Sequence, residues 1–209
     1  MAASIIDSLF SELLSDDTIG NLASAAGVQK EGVTDIISAA IPTLLTAMAE
    51  NSTTEKGAES LAKALSQHSS KTKINVPDAV KNADIIDGQK IIGHILGGNT
   101  DETIEKMAKS TNLDKDKISR VLSMVAPIIL TFIARGKKTS KKSDSSLDMT
   151  DMLASFVKSA MTSNGKSSAG ASIATGIISS LFASQFGGSQ SSGGDATAAI
   201  INSLLKNIF

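Results

Sequence analysis

The sequence predicts an all-α fold, a multihelical bundle with an internal duplication of a three-helix unit, followed by C-terminal amphipathic helices. Three observations predict it. Residues 16–49 match residues 101–134 without a gap, each match ends in a long apolar stripe at helical spacing, and a short apolar hexad recurs along the chain.

The first helix of each unit carries the hexad Ile-Ile-x-x-(Leu/Ile)-(Phe/Leu). It reads Ile5-Ile6…Leu9-Phe10 in one copy and Ile91-Ile92…Ile95-Leu96 in the other, at a shift of 86 residues, and recurs nearly unchanged from Ile177 to Phe182 and from Ile200 to Leu205. The second helices, 18–26 and 102–111, follow Asp16 or Asp17 and Asn99 or Thr100. These short oxygen-bearing side chains can accept from the free N–H groups of a first turn. From there the copies run in register at a shift of 85. Asp16, Thr18, Ile19, Ala23, Lys30, Ser38, Pro42, Leu45, Thr46 and Ala49 meet Asp101, Thr103, Ile104, Ala108, Lys115, Ser123, Pro127, Leu130, Thr131 and Ala134. Those 10 identities compare with roughly 2 to 3 expected by chance.

The third helix is the longest. Val33, Ile36, Ile37, Ala40, Ile41, Leu44, Leu45 and Met48 form one stripe, and Ile118, Val121, Leu122, Val125, Ala126, Ile129, Leu130 and Ile133 form its counterpart. Pro42 and Pro127 each remove the hydrogen bond to the carbonyl four residues back, at Ser38 or Ser123, so a bend is expected in both helices. Between the copies, Ser52 and Glu55 suggest a capping box opening a helix through Leu61, Leu65 and His68. Pro77 then starts a short polar helix or turn leading to Gly88.

The expected organisation is a duplicated helical domain at 1–135, with copies at about 3–50 and 89–135 joined by a helix at 52–68. A basic linker at 136–146 follows, since Arg135 to Lys142 holds five cations in eight residues. The C-terminal region, 147–209, opens with an amphipathic helix carrying Met149, Met152, Leu153, Phe156, Val157 and Ala160. Residues 167–194 contain no charge. Ile173, Ile177, Ile178, Leu181, Phe182 and Phe186 there fall at helical spacing, but Ser, Thr and Gln between them favour a buried helix over a membrane span. Residues 187–194 form a Gly/Ser tether, reaching roughly 16 Å. It delivers a last helix at 196–209 with Ile200, Ile201, Leu204, Leu205 and Ile208 on one face.

Gly88-Gln89-Lys90-Ile91-Ile92-Gly93-His94-Ile95-Leu96-Gly97-Gly98 resembles the glycine-histidine segment of the YidB-like family, a bacterial domain of unknown function. Leu65-Ser66-Gln67-His68, Ala40-Ile41-Pro42-Thr43-Leu44-Leu45 and Ala126-Pro127-Ile128-Ile129-Leu130 are similar to its other landmarks. The resemblance covers about residues 1–135. It implies a multihelical bundle and a bacterial source, and it carries over no catalytic residue.

Composition excludes several classes of function. The chain of 209 residues has a net charge of −1, which argues against nucleic-acid binding and favours association between copies. With no Cys, there is no thiolate chemistry. With no Trp or Tyr and six Phe, there is no aromatic platform for bases or sugars. Met1-Ala2-Ala3-Ser4 lacks a basic n-region and Asp7 and Glu12 interrupt an apolar stretch, so a cytoplasmic location is expected.

His94 lies near the polar edge of its helix, between Gly93 and Gly97, and is expected to pack against a neighbouring helix; His68 suits the carbonyl end of its own. The carboxylates Asp16-Asp17, Asp84…Asp87 and Asp114…Asp116 stand at helix starts or turns without calcium-loop spacing. Gly97-Gly98-Asn99-Thr100 lacks the Lys and the strand of a phosphate loop. No catalytic, cofactor-binding or metal-ligating residue is therefore assigned, and no enzyme is expected. The reading is a structural or interaction protein that forms homo-oligomers through its short amphipathic helices. Its interaction residues are Ile200, Ile201, Leu204, Leu205 and Ile208, with Ile5, Ile6, Leu9 and Phe10. The alternative is a binding module for an apolar ligand or a membrane surface.

Overall fold

A computed structural model describes residues 2–68, 74–139, 146–163 and 168–185. Among these residues the fold is all-α, with ten α-helices and no strand. In chain order they are α1 (Ala2–Leu13), α2 (Asp16–Ala26), α3 (Lys30–Asn51), α4 (Glu55–His68), α5 (Val76–Lys81), α6 (Ile85–Leu96), α7 (Thr100–Thr111), α8 (Lys115–Thr139), α9 (Ser146–Ser163) and α10 (Ser168–Gln185). A 3₁₀ turn, Gly97–Asn99, joins α6 to α7. The tether 187–194 and the last helix expected at 196–209 lie outside the described residues.

The two proline helices are the centre of the molecule, and they are not amphipathic as the stripes suggested. Every residue of α3 from Ile36 to Met48 is buried, polar Ser38, Thr43 and Thr46 included. In α8 every residue from Val121 to Ala134 except Pro127 is buried. A helix buried on all faces needs neighbours all round. α3 has α9 and α10 along it, with α6 and α8 also in contact, while α8 is covered by α6, α4, α7 and α1. Each helix continues through its proline. The threonine four residues beyond the proline donates back to the proline carbonyl, Thr46 to Pro42 and Thr131 to Pro127, both at 2.8 Å.

The helix starts differ in detail from the expectation. Ser15 caps α2, its side chain accepting from the Thr18 N–H, and Asp16 and Asp17 lie inside the first turn where their charge suits the dipole. At the start of α4 the Ser52 hydroxyl donates to the Ala49 carbonyl, and Thr54 accepts from the Gly57 N–H at 3.2 Å. Asn99 makes no side-chain cap for α7, because the 3₁₀ turn already occupies the approach. Asp84 does cap α6, accepting from the Ile86 and Asp87 N–H groups.

The boundary drawn at 136 also moves. α8 runs on to Thr139, so Arg135 and Gly136 belong to the helix. Leu153, Phe156 and Ala160 of α9 and Ile173 and Ile177 of α10 are buried in the same core as α1 to α8. The C-terminal helices thus complete the bundle.

Two glycines set close approaches on the proline helices. A Cβ on Gly88 would lie 1.9 Å from the Ser123 carbonyl oxygen, and one on Gly170 would lie 2.3 Å from the Ser38 Cβ. Each glycine of a covering helix thus sits on the serine four residues before a proline. At Gly88 this brings the glycine Cα–H to the very carbonyl that Pro127 leaves without its N–H partner, a weak but favourable contact. Gly93, on the outer side of α6, has nothing within 4 Å of its Cβ position. Replacing Gly88 by Ala is therefore expected to destabilise the fold by about 1–3 kcal/mol through overpacking. Gly93→Ala is expected to stabilise it by about 0.5–1 kcal/mol through reduced backbone entropy in the unfolded chain. Urea unfolding of the two variants measures both signs.

Candidate interaction site

The short helices that bear the hexad are held in two different ways. α6 and α10 use a glycine register: Gly88, Ile91, Ile92, Ile95 and Leu96 in α6 correspond to Gly170, Ile173, Ala174, Ile177 and Ile178 in α10. All ten are buried except Ile178, which is partly so. The hexad counted from Ile177 is one turn out of this register, and the side chains of Leu181 and Phe182 lie outside the described ones. α6 packs along α8 and α10 packs along α3.

α1 uses another place, the angle between α8 and α9. Ile6, Leu9 and Leu13 are fully buried there and Phe10 nearly so, with Ile5 partly covered. The wall opposite α1 is made by Gly136 and Phe156. A Cβ on Gly136 would fall 2.7 Å from the Phe156 ring and 3.1 Å from the Ile5 side chain, so a larger residue would push α1 and α9 apart. On the same helix the Arg135 guanidinium, next to Gly136, lies 5.2 Å from the centre of the Phe132 ring in a cation–π contact. Ile5, Ile6, Leu9 and Phe10 are thus brought together as a packed face. Ile200, Ile201, Leu204, Leu205 and Ile208 lie outside the described residues.

The histidines take no part in this. His94 is exposed, and the close packing expected of it is absent because Gly93 and Gly97 both border open space. Among the described residues no hydrogen bond or ion pair reaches its imidazole; only its backbone carbonyl is used, accepting from Asn51 Nδ2 at 3.4 Å. Asn51 also donates to the Ile95 carbonyl at 2.7 Å, so a side chain from α3 satisfies the carbonyl end of α6. His68 ends α4. Beside Asn51, one oxygen of Glu50 is buried without a hydrogen-bond partner, and this burial pushes its carboxyl pKa up. Glu105 is the opposite case. Hydrogen bonds and charge from Lys109 and Lys115 pull its pKa down to about 2, and the Lys115 pair ties α7 to the start of α8. Among the described residues no group of His, Asp and Glu is placed to hold a metal ion.

α3 and α8 are long and apolar enough to cross a membrane, at mean hydropathy 1.4 and 1.7, but 78% of each window is buried inside the bundle. Core helices of this length satisfy the same measure.

Fold and contacts define an all-α bundle with two proline-bearing central helices and short apolar helices laid against them. The chain belongs to a bacterial family: a family model described as a bacterial protein of unknown function (DUF937) matches residues 7–136. This is the family to which the YidB-like landmarks point. The match stops inside α8, so α9 and α10 lie beyond it. Searches of curated proteins and of solved structures gave no match.

The two perturbed carboxylates give opposite pH dependences. Glu105 stabilises the fold above its ordinary pKa of 4.5, and that contribution is lost as pH falls toward about 2. Glu50, with a raised folded pKa, favours the fold below its ordinary 4.5 and disfavours it as pH rises. At pH 7 Glu105→Gln is expected to lower the thermal midpoint and Glu50→Gln to raise it. Both differences should vanish in scans near pH 2.

Proposed function

We propose that this protein is a non-enzymatic structural or interaction protein that self-associates through its short amphipathic helices, on a core built from a duplicated three-helix unit. Several paired features support the duplication. Gly27 and Asn112, 85 residues apart, both end their helices in the left-handed conformation and donate to Ala23 and Ala108. Thr18 and Thr103 are both buried, as are Ser38 and Ser123. α1, α2 and α3 have 12, 11 and 22 residues, and α6, α7 and α8 have 12, 12 and 25.

One observation carries the functional reading. The last segment, 196–209, repeats an apolar helix face on a Gly/Ser tether. Among the described residues the only large apolar side chain that stands exposed is Ile86, at 66%. A tethered apolar helix gains by burial against a second copy as it would against its own chain. The low net charge of −1 leaves little repulsion between copies. The alternative of an apolar-ligand or membrane module has no comparable feature behind it.

Deleting residues 187–209 is expected to convert a concentration-dependent oligomer into a monomer of unchanged helicity, read by multi-angle light scattering and circular dichroism. A full-length chain that stays monomeric across the accessible concentration range would remove the reading.

A further inference from the structure

From the packing of α1 we infer that the segment 196–209 of one chain takes the place of α1 between α8 and α9 of a second copy. The inference rests on the self-association reading and names its site and occupant.

The terminal segment is a close copy of α1. Set against each other at a shift of 195, Ala3, Ile5, Ile6, Ser8 and Leu9 recur as Ala198, Ile200, Ile201, Ser203 and Leu204. The other two buried positions, Phe10 and Leu13, recur as Leu205 and Ile208. Every side chain with which α1 fills its site therefore has an apolar equivalent in the terminal segment. The substitution of Phe10 by Leu205 is the only marked loss of volume.

The places of α6 and α10 suit it less. Both demand a glycine three residues before the first isoleucine of the register, since a Cβ there would run into Ser123 or Ser38. α1 has Ala2 at that position and the terminal segment has Thr197. α1, built on the same pattern, lies instead on α8 and α9. Moving the segment one turn would bring Gly193 to the glycine position. It would also draw Gly194 and Asp195 into the helix and set Ala196 and Thr197 where α10 buries Ile173 and Ala174.

The exchange replaces like with like, so it conserves buried apolar area instead of adding to it. α1 also holds an entropic advantage in its own chain, because only Leu14 and Ser15 separate it from α2. Assembly is then weak, reversible and governed by chain concentration. The contact is head-to-tail, which propagates unless the copies close a ring.

The test places a photoreactive residue in the full-length chain by Ile200→p-benzoylphenylalanine, mixes light with ¹⁵N-labelled chains, and maps the cross-links by mass spectrometry. Position 200 corresponds to Ile5, which lies against Gly136 and Phe156. The expected product joins position 200 of one chain to residues 132–160 of the other isotope. Cross-links to the surroundings of Ser38 or Ser123, between two terminal segments, or only within one chain overturn the inference. So does the absence of any cross-link. An intermolecular cross-link elsewhere leaves self-association standing and removes only the site, whereas a monomer by light scattering removes both. A second variant separates exchange from simple pairing. Ile6→Val weakens α1 alone and is expected to lower the concentration of half-assembly about fivefold. An unchanged or raised value overturns the exchange.

Discussion

The structure depends on a constraint set by two prolines. Each stands inside a helix that is buried on all sides, and each leaves one backbone carbonyl in the interior without its usual N–H partner. A buried carbonyl cannot be left to water, so something must come close to that point. At Ser123 it is the Cα of Gly88; at the equivalent point of α3 the backbone of α10 around Gly170 packs on the Ser38 Cβ. Side chains are excluded from both places, and the small residue fixes where along its helix each covering element crosses. The buried threonines that donate to the proline carbonyls take up the hydroxyls that the core would otherwise strand.

From this the rest of the arrangement follows. Helices fixed by a glycine have one register on their main partner, whereas α1 is fixed by fit to a wall of Gly136 and Phe156. The three short helices look alike as apolar hexads, yet they divide into two kinds once their backbones must approach another helix. The division is physical: a methyl group 1.9 Å from an oxygen is not accommodated by any rotamer.

Much of the fold could be read from the chain because its signals are periodic. The apolar stripes of Val33 to Met48 and Ile118 to Ile133 marked the central helices, and the family landmarks lay on them. What the pattern did not carry was the burial of the opposite faces. Nothing in the stripe marks Thr43 and Ser123 as buried, because a hydroxyl that bonds its own backbone looks the same in sequence whether it meets water or protein. The boundary at Gly136 was missed for a related reason. A glycine after an arginine reads as a helix end, and only the Phe156 ring explains it as a close contact inside a continuing helix. Of the candidate site, the faces were legible from Ile5 to Phe10, but their partner surfaces come from residues far along the chain and leave no local trace.

The pairing of α10 with α3 has a consequence for how the molecule is made. The two faces that meet at Ser38 and Gly170 are far apart in the chain, whereas Gly88 and Ser123 are close. During synthesis α6 and α7 can pack on α8 as soon as it emerges. α3 must wait, uncovered on one side, until the last third of the polypeptide leaves the ribosome. Contacts of such long range are slow to form and leave apolar surface open to other nascent chains. A protein that finishes its amino-terminal half last spends its vulnerable interval during translation, and the rate of elongation through residues 140–185 becomes part of its folding.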